Sequence, residues 1–446
     1  MAKEHDTRRD HALVRLADGT VKQHNLLTGT EVWTVPGRGN RPLSVQHETP
    51  RPLDPAEHGR HCAFCEHRYL ETPPEKSRLV RRAAGDGSGQ DAWEQLDALP
   101  ADRLGDTVAE FRRIPNLFEI VSYNYWHLNH DHVPSEAEHR RMAEYLSSGT
   151  GYEHVMSLVR TRMLASGLSA EELESLSDSA KLQQANGFFS GGHDVIVARR
   201  HFVDGATTDA QLAGSGTLTP EEHYRYTDFT ARSMADLYGL DPAVRYVATF
   251  QNWLKPAGAS FDHLHKQLVA IDEHSVQTEA ELQRLRSDPE IYEDILAVAT
   301  TRRLIIAQND HAVALAGFGH RYPTISVWPL HAPLNPWEVD EDQMRGVSDL
   351  LHAMHAATGV DVPCNEEWYH RPPDVATPMR WRILLKWRIS TVAGFEGGTR
   401  IYLNTIDPWE VRDRVVPRVR DLRERRLIAP MLIGEECHVT AAALRD

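Results

Sequence analysis

The sequence predicts an α+β fold built from antiparallel sheets and flanking helices. Helical and strand-like segments alternate along its 446 residues, but long connections replace the regular strand–helix–strand rhythm of a parallel sheet. Residues 194–198 form a β-branched run between a glycine pair and a polar loop, which indicates a strand. Thr219 and Pro220 suit the N-cap and first turn of a helix, so a helix is predicted from Pro220 to Tyr238.

The other elements follow from the spacing of apolar residues and from turn residues. Asp18-Gly19 predicts a hairpin near the amino terminus, and residues 135–187, rich in Ala, Glu and Leu, predict two or three helices. Further strands are predicted over 245–251, 267–271, 312–316, 324–328 and 381–391. Further helices are predicted over 278–300, 338–357 and 408–424.

Two parts of the chain repeat one order of features. In each part an apolar strand runs into a histidine, His201 in the first and His331 in the second. A triplet beside a strand follows each, His263-Leu264-His265 in the first part and Arg380-Trp381-Arg382 in the second. A duplicated domain whose second copy has lost its histidines explains this order. We predict two domains, an active half over residues 30–275 and a degenerate half over 300–446.

Composition excludes several classes of protein. Hydrophobic residues make up 41% and charged residues 25% of the chain, as in globular rather than disordered proteins. The formal net charge of −15 counts against sequence-independent binding to nucleic acid or anionic lipid, so any phosphate must be bound locally. Apolar runs of signal-peptide or membrane-spanning length are missing, which predicts a cytoplasmic protein without nucleic-acid or membrane partners.

The segment 252–267, NWLKPAGASFDHLHKQ, has the strongest chemical pattern. Its small residues from Ala257 to Ser260 allow a backbone to approach a phosphate closely. His263, His265 and Gln267 follow at a spacing of two, which places them on one face of a strand. Imidazole is a good nucleophile toward phosphorus at neutral pH, and a carboxamide can bind the phosphoryl oxygens. The alternative is a polar strand edge whose histidines face solvent.

The same segment resembles the active-site signature of the galactose-1-phosphate uridylyltransferase family, a branch of the histidine-triad superfamily. Supporting similarities occur in family order along the chain: RGNRP at 38–42, HCAFC at 61–65, PNLF at 115–118, GGHDVIVARRH at 191–201 and AGFEGGTRIYLN at 393–404. The resemblance implies duplicated histidine-triad-like domains, consistent with the repeated order described above. It also implies that family members' site residues have counterparts here.

By this resemblance, His265 is the nucleophile that accepts a nucleoside monophosphoryl group, and Gln267 and Ser260 contact its phosphate. Gly258 permits close approach and Asn252 binds nearby. The other implied substrate contacts are Arg38 and Arg41 to phosphates, from the partner subunit in family dimers, Asn116 and Phe64 to base and ribose, and Phe395 and Glu396 to the sugar. A homodimer is therefore expected.

The resemblance also implies one structural zinc site formed by Cys62, Cys65, His201 and His263, a donor set suited to tetrahedral coordination. Such a metal would join the nucleophile's strand to the cysteine loop. Other histidines compete with His201 for this role, namely His61, His67, His127, His130 and His132. The alternative for the cysteines is a pair of reduced structural thiols.

Several positions depart from the family pattern. Leu264 replaces the usual proline, and Lys266 replaces a small residue and would either contact the phosphate or face solvent. Arg380-Trp381-Arg382 replaces a His-Trp-His metal motif, so no second metal site of that kind is expected. The helical stretch at about 125–187 resembles an insertion that either caps the site or forms an oligomer interface.

We predict a nucleotidyltransferase that acts by double displacement. His265 would take the nucleotidyl group from a nucleoside diphosphate compound, an NDP-sugar by resemblance, and pass it to a phosphorylated acceptor. One alternative is a phosphorylase or hydrolase, although hydrolytic superfamily members carry a histidine where this chain has Gln267. Another is a zinc-stabilised scaffold without catalysis.

Overall fold

The structure is a computed structural model that describes residues 9–37, 49–82, 92–330 and 335–444. Its centre is one twelve-stranded sheet in the order β16-β10-β11-β12-β14-β13-β8-β9-β7-β6-β4-β5, with every neighbouring pair antiparallel. These strands are β4 (Ser77–Arg82), β5 (Ala92–Asp97), β6 (Ala109–Pro115), β7 (His193–Ala198), β8 (Tyr246–Trp253), β9 (His265–Ile271), β10 (Ile305–Gln308), β11 (Ala312–Gly317), β12 (Thr324–Pro329), β13 (Cys364–Tyr369), β14 (Arg382–Trp387) and β16 (Leu432–Ile433).

A smaller sheet of four strands has the order β1-β2-β3-β15. Its first three strands pair antiparallel, and β15 joins β3 in parallel. The strands are β1 (Leu13–Arg15), β2 (Val21–His24), β3 (Glu31–Thr34) and β15 (Ile401–Asn404). Asp18-Gly19 lies in the turn between β1 and β2, as the sequence predicts.

Besides the helical residues 9–12, the described ranges contain twelve α-helices. They are α1 (Tyr123–His130), α2 (Glu136–Leu146), α3 (Gly149–Ala165), α4 (Ala170–Ser175), α5 (Asp178–Gln183), α6 (Asn186–Ser190), α7 (Pro220–Tyr238), α8 (Val276–Ser287), α9 (Ile291–Thr301), α10 (Glu341–Thr358), α11 (Gly394–Thr399) and α12 (Pro408–Glu424). Within the described ranges, no helix is long and apolar enough to cross a membrane.

Strands β4–β9 form what we call the first half of the large sheet, and β10–β14 with β16 form the second half. The halves meet where β8 pairs with β13, with Asn252 opposite Asn365. Helices α7 and α10 pack on each other and cover one face, here called the helix face. The opposite face, called the site face, carries His265. One apolar core runs through both halves, so the halves share their stability.

Helices α1–α6 lie between β6 and β7, in the stretch that the resemblance predicts to be an insertion, here called the insertion. The prediction of two or three helices over 135–187 is wrong, because short polar breaks divide this stretch into five helices, α2–α6. Part of it has a small core of its own that includes Tyr145, Val155 and Phe188. His154 on α3 bonds the carbonyl of Thr72, 2.9 Å away, in the segment that follows the cysteine pair. The insertion therefore packs against the chain that leads away from the cysteines.

The α+β class and the antiparallel sheets are confirmed, and α7 and α12 have the predicted bounds. The single helix predicted over 278–300 is wrong, because Pro289 lies between α8 and α9 and disfavours continuous helix. The strand predicted over 381–391 is shorter and ends at Trp387. The proposed domain boundaries, 30–275 and 300–446, stay predictions.

Candidate active site

His265 begins β9 and is held by the backbone just before it. Its Nδ1 lies 2.7 Å from the carbonyl oxygen of His263. A carbonyl can only accept, so Nδ1 carries the ring hydrogen and Nε2 keeps its lone pair. Burial is the largest cause that lowers the pKa of His265 to about 4, so the ring is neutral at pH 7. The arrangement gives a fixed, unprotonated nucleophilic nitrogen.

Strand alternation separates the residues around His265 onto two faces. Gln267 shares the site face, whereas Lys266 points to the helix face, where its Nζ lies 2.7 Å from Glu366 Oε1. The Lys266 ammonium also lies 4.4 Å from the centre of the Tyr226 ring on α7. Both interpretations of Lys266 are therefore wrong: it neither faces solvent nor lies beside a phosphate on the site face, since it is fully buried in an ion pair.

Cys62, Cys65, His201 and His263 converge on one buried point. The two Sγ atoms are 3.8 Å apart, and Cys62 Sγ lies 3.4 Å from the Nδ1 atoms of both histidines. The corresponding distances from Cys65 Sγ are 3.9 and 3.8 Å. The hydrogen bond from the Cys62 thiol lowers the pKa of Cys65, which favours one thiolate in the group. These four residues could hold a metal ion.

Two features orient the histidines of this cluster. His263 Nε2 lies 2.6 Å from the carbonyl oxygen of Ala198, so it donates its hydrogen there and leaves Nδ1 free toward the sulfurs. His201 follows the end of β7, as the sequence analysis expects. Among the histidines weighed against it, His61 packs its ring on His201, while His130 pairs with Asp272. Within the described part of the chain, no other group of His, Cys, Asp and Glu has metal-like spacing.

His193, at the start of β7, is a site residue that the sequence analysis missed. The backbone N–H of Ile120 donates to its Nδ1 at 3.0 Å, so the ring hydrogen lies on Nε2. That Nε2 is 3.1 Å from Gln267 Oε1, which accepts the hydrogen. Asn116 Nδ2 also lies 3.0 Å from this nitrogen, but because the Asn116 oxygen accepts the backbone N–H of Phe118, Nδ2 is a donor and forms no hydrogen bond with the Nε2–H. The GGHDVIV match contained this histidine, but only the strand pairing reveals its partners.

The bond from His193 fixes the direction of the Gln267 carboxamide. Because Oε1 is occupied by the imidazole, the NH2 group of Gln267 is left to donate elsewhere. Burial lowers the pKa of His193 to about 4, so this neutral form persists at pH 7. A carboxamide oriented as a donor suits phosphoryl oxygens.

Asn252 is oriented by residues from the second half of the sheet. Arg388 Nη1 donates to Asn365 Oδ1 at 2.6 Å, and because arginine cannot accept, this bond fixes which end of the Asn365 amide is oxygen. Asn365 Nδ2 then donates to Asn252 Oδ1 at 2.7 Å. The Nδ2 of Asn252 remains a donor toward the loop that contains Gly258. A Cβ on Gly258 would lie 3.8 Å from this nitrogen, and its φ of +91° is readily adopted only by glycine.

The other predicted site residues fall into three groups. Phe64 packs on His265 with ring centroids 5.2 Å apart, and Ser260 lies exposed in the loop between β8 and β9. Phe395 and Glu396 lie on α11 beside the small sheet, where Glu396 accepts the backbone N–H of Ala393. Among the described contacts, none joins these two residues to His265. Arg38 and Arg41 lie outside the described residues.

A family model described as "Domain of unknown function (DUF4921)" matches residues 16–446. The chain belongs to this family. An ADP-glucose phosphorylase of Arabidopsis thaliana is 26% identical to the DUF4921 chain over 182 residues, which is 38% of this chain and 51% of that relative. The DUF4921 chain thus matches about half of the length of this curated relative.

Two solved structures from Arabidopsis thaliana resemble the DUF4921 protein along most of its length. An ADP-glucose phosphorylase with bound ADP-glucose has 18% identity and a TM-score of 0.55, and a GalT-like protein has 17% and 0.54. Each comparison covers 89% of this chain and 98% of the other. The predicted resemblance is confirmed at the level of the fold: the DUF4921 chain has a fold similar to these GalT-like structures.

Proposed function

We propose that this protein is a nucleotidyltransferase that forms a covalent nucleotidyl-histidine at His265. The observation that carries the proposal is the hydrogen bond from Nδ1 of His265 to the His263 carbonyl, which leaves Nε2 unprotonated. Nε2 attacks the α-phosphorus, the Nε2–P bond forms, and the P–O bond to the departing phosphorylated group breaks. The ring becomes positively charged, and the same carbonyl stabilises the Nδ1–H. An acceptor phosphate oxygen then displaces Nε2 from phosphorus.

Two carboxamides supply the electrostatic part of catalysis. Gln267 has its NH2 group free because its oxygen accepts from His193, and Asn252 has its NH2 group free because its oxygen accepts from Asn365. Donors that are already aimed need little reorganisation as charge develops on the phosphoryl oxygens. Ser260 and Gly258 contribute the loop between β8 and β9. A histidine at the position of Gln267 would suit water activation, so the carboxamide supports transfer to an acceptor other than water.

The metal is proposed to be zinc in a single structural site. A tetrahedral zinc ion about 2.3 Å from sulfur and about 2.0 Å from nitrogen separates its sulfurs by about 3.8 Å, and each sulfur from each nitrogen by about 3.5 Å. The observed separations, 3.8 Å between the sulfurs and 3.4 to 3.9 Å from sulfur to nitrogen, fit this geometry. With four protein ligands, the ion would join the cysteine loop to β9 and would hold His265 through His263.

The donor is proposed to be a nucleoside diphosphate sugar, with ADP-glucose the first compound to test. A second candidate function is phosphorolysis, in which inorganic phosphate is the acceptor, and the relative named ADP-glucose phosphorylase favours it. Both candidates use the same first half-reaction. A homodimer, in which Arg38 and Arg41 reach the partner's site and Phe395 and Glu396 contact the sugar, stays a prediction from the family resemblance.

Intact-mass spectrometry tests the covalent intermediate. The protein is incubated with ADP-, UDP- and GDP-glucose in turn, and we expect one of them to add the mass of its nucleoside monophosphate. His265→Ala should give no adduct with any donor, whereas His139→Ala, a change at an exposed histidine on α2, should give the adduct. An adduct of equal yield in His265→Ala would refute the assignment. Adding inorganic phosphate or glucose 1-phosphate to the adduct then identifies the acceptor.

A further inference from the structure

A polar cavity lies between the small sheet and the second half of the large sheet. Its volume is about 310 Å³, within the range of small-ligand sites. Strand β14, the residue that follows it and the loop before β12 supply four cationic side chains to its wall, namely Arg321, Arg382, Lys386 and Arg388. The function proposed above places none of them on the substrate at His265, and only Arg388 acts there, by orienting Asn252 through Asn365.

These four cations are not fully neutralised by protein carboxylates. Lys386 Nζ lies 2.6 Å from Glu367 Oε2, and Arg382 pairs with Glu281 on α8. Among the residues that the structure describes, Arg321 and Arg388 have no carboxylate within ion-pair distance. The cavity wall therefore carries two cations that a bound anion could neutralise.

Arg388 is held in place with one donor unused. Nη1 donates to Asn365 Oδ1, and its guanidinium carbon lies 4.6 Å from the centre of the Tyr322 ring. Its Nε atom is buried and has no hydrogen-bond partner in the structure. Nitrogens of Arg112, Arg141, Arg371 and Arg412 also lack a partner, so what distinguishes Arg388 is its position in the wall of a cavity and, among the described residues, its lack of an ion pair.

Arg321 completes the cationic wall from the exposed side. Its guanidinium carbon lies 5.3 Å from the Tyr322 ring centre and 5.4 Å from that of Tyr402 on β15. Stacking on aromatic rings orients a guanidinium without using its hydrogen bonds. Arg321 thus keeps its donors available to a ligand that enters the cavity.

His320 lies in the wall of the cavity, and burial and the cations beside it lower its pKa. Burial is the largest cause that lowers its pKa to about 3, and the charges of Lys386 and Arg382 lower it further. The lining residue His320 is therefore neutral at pH 7, and the cationic excess comes from arginine and lysine. Asn25, Thr28 and Thr30 add polar groups that could bind hydroxyls.

We propose that this cavity binds a phosphate monoester, with Arg321 and Arg388 on the phosphate and the polar groups on an attached polyol. A dianion matches the two unneutralised guanidiniums, and the planar guanidinium suits phosphate oxygens. Inorganic phosphate and a sugar phosphate share this chemistry. The site is additional to the one at His265 and does not depend on the proposed function.

The sheet geometry separates the two sites. β9 and β14 have β8 and β13 between them, so three strand spacings of about 4.8 Å, roughly 14 Å, separate the backbone at His265 from the backbone of β14. The leaving phosphate of a diphosphate joins the α-phosphorus through a single oxygen and lies much closer to His265 than that. Arg388 nevertheless donates to Asn365, which donates to Asn252. Two hydrogen bonds therefore connect the wall of the cavity to the site at His265.

Isothermal titration calorimetry tests the cavity in the full chain carrying His265→Ala, which removes turnover. The probes are glucose 1-phosphate, inorganic phosphate and glucose. Glucose 1-phosphate should bind to this variant. The further change Arg321→Gln should weaken the affinity for glucose 1-phosphate by about ten-fold or more, as the loss of a charged hydrogen bond implies. Arg425→Gln, at an exposed arginine just after α12, should leave binding unchanged. Glucose should bind far more weakly than its phosphate.

The measured affinities distinguish the possible ligands from each other, and two results would overturn the proposal. Equal affinity for glucose 1-phosphate and inorganic phosphate would identify phosphate alone as the ligand, and a preference for glucose 1-phosphate would identify a sugar phosphate. Saturation with ADP should not displace either probe. Unchanged binding in Arg321→Gln and in Arg388→Met, each with a wild-type melting temperature, or full displacement by ADP, would overturn the proposal.

Discussion

The triplets that lead into β9 and β14 occupy comparable places in the two halves of the sheet but differ in chemistry. In the first half, the last residue is His265, whose neutral ring bonds a backbone carbonyl and keeps a lone pair. In the second half, the last residue is Arg382, whose guanidinium forms a buried ion pair with Glu281. The strand pattern thus places a side chain on the site face in both halves. The residue type decides whether that side chain is the proposed nucleophile or a member of an ion pair.

The two halves also contribute different residues to the site at His265. The first half provides the donors, Gln267 and Asn252, whereas the second half provides Asn365 and Arg388, which orient Asn252. The second half has arginines in place of His263 and His265, but it still orients a residue of the site in the first half. The four predictions below test this comparison.

Exchanging the residue types of His265 and Arg382 should have the largest effect on activity. His265→Arg should lower the rate of nucleotidyl exchange by at least about 10³-fold, because a guanidinium has no lone pair to attack phosphorus at neutral pH. The rate of label exchange between donor and acceptor measures this. Arg382→His should not create a second nucleophile. A His265→Ala/Arg382→His double variant should therefore remain inactive. Activity in the double variant would contradict the assignment of the halves.

Breaking the ion pair of the second half should affect stability rather than chemistry. Arg382→Met leaves the Glu281 carboxylate buried without its partner and should reduce the free energy of unfolding by about 3–5 kcal/mol. Urea unfolding measures this loss. Arg380→Met, two residues away and half-buried, should cost much less, and Arg382→Met/Glu281→Gln should recover part of the loss. Equal losses in Arg380→Met and Arg382→Met would count against the ion pair.

Removing zinc from its proposed site should destabilise the first half selectively. Zinc at 100 times its dissociation constant should add about 2.7 kcal/mol to the free energy of unfolding, and a chelator should remove this gain. Hydrogen exchange should become faster in β7 and β9 and change little in β14. Cys65→Ser should abolish the response to chelator, whereas Cys437→Ser, at an isolated cysteine, should retain it. Similar effects in both halves would argue against a local metal site.

The smallest effects should come from the residues that orient the carboxamides. His193→Phe should lower kcat/KM by about 10–100-fold, the range seen when a residue that orients a functional ligand is lost. Asn365→Ala should lower it by about 3–10-fold through one lost hydrogen bond.

Steady-state kinetics of the exchange reaction distinguishes these effects from general damage. His193→Gln, which can still donate to Gln267, should recover part of the lost kcat. His370→Phe, at a buried histidine of the second half that bonds Tyr238, should leave kcat/KM nearly unchanged. Equal kinetic losses in His193→Phe and His370→Phe, or no recovery in His193→Gln, would indicate that His193 is only structural.

The sequence by itself determined the local parts of this protein. The bounds of α7 follow from an N-cap, a proline and apolar spacing that lie within one segment, and His263, His265 and Gln267 share a face because strand side chains alternate. Family similarity identified the cysteines and His201 as partners of His263, which the structure brings together. The break at Pro289 was readable in the sequence, but the apolar spacing on both sides of it suggested one helix.

Only the tertiary structure decided which partners orient the site. His193 reaches Gln267 from another strand, and Arg388 and Asn365 reach Asn252 through the pairing of β8 with β13. Lys266 is buried against Glu366 for the same reason, since its neighbours come from distant segments. Hydrogen bonds and ion pairs of this kind join residues 23 to 113 positions apart and depend on strand register, for which local sequence carries no signal.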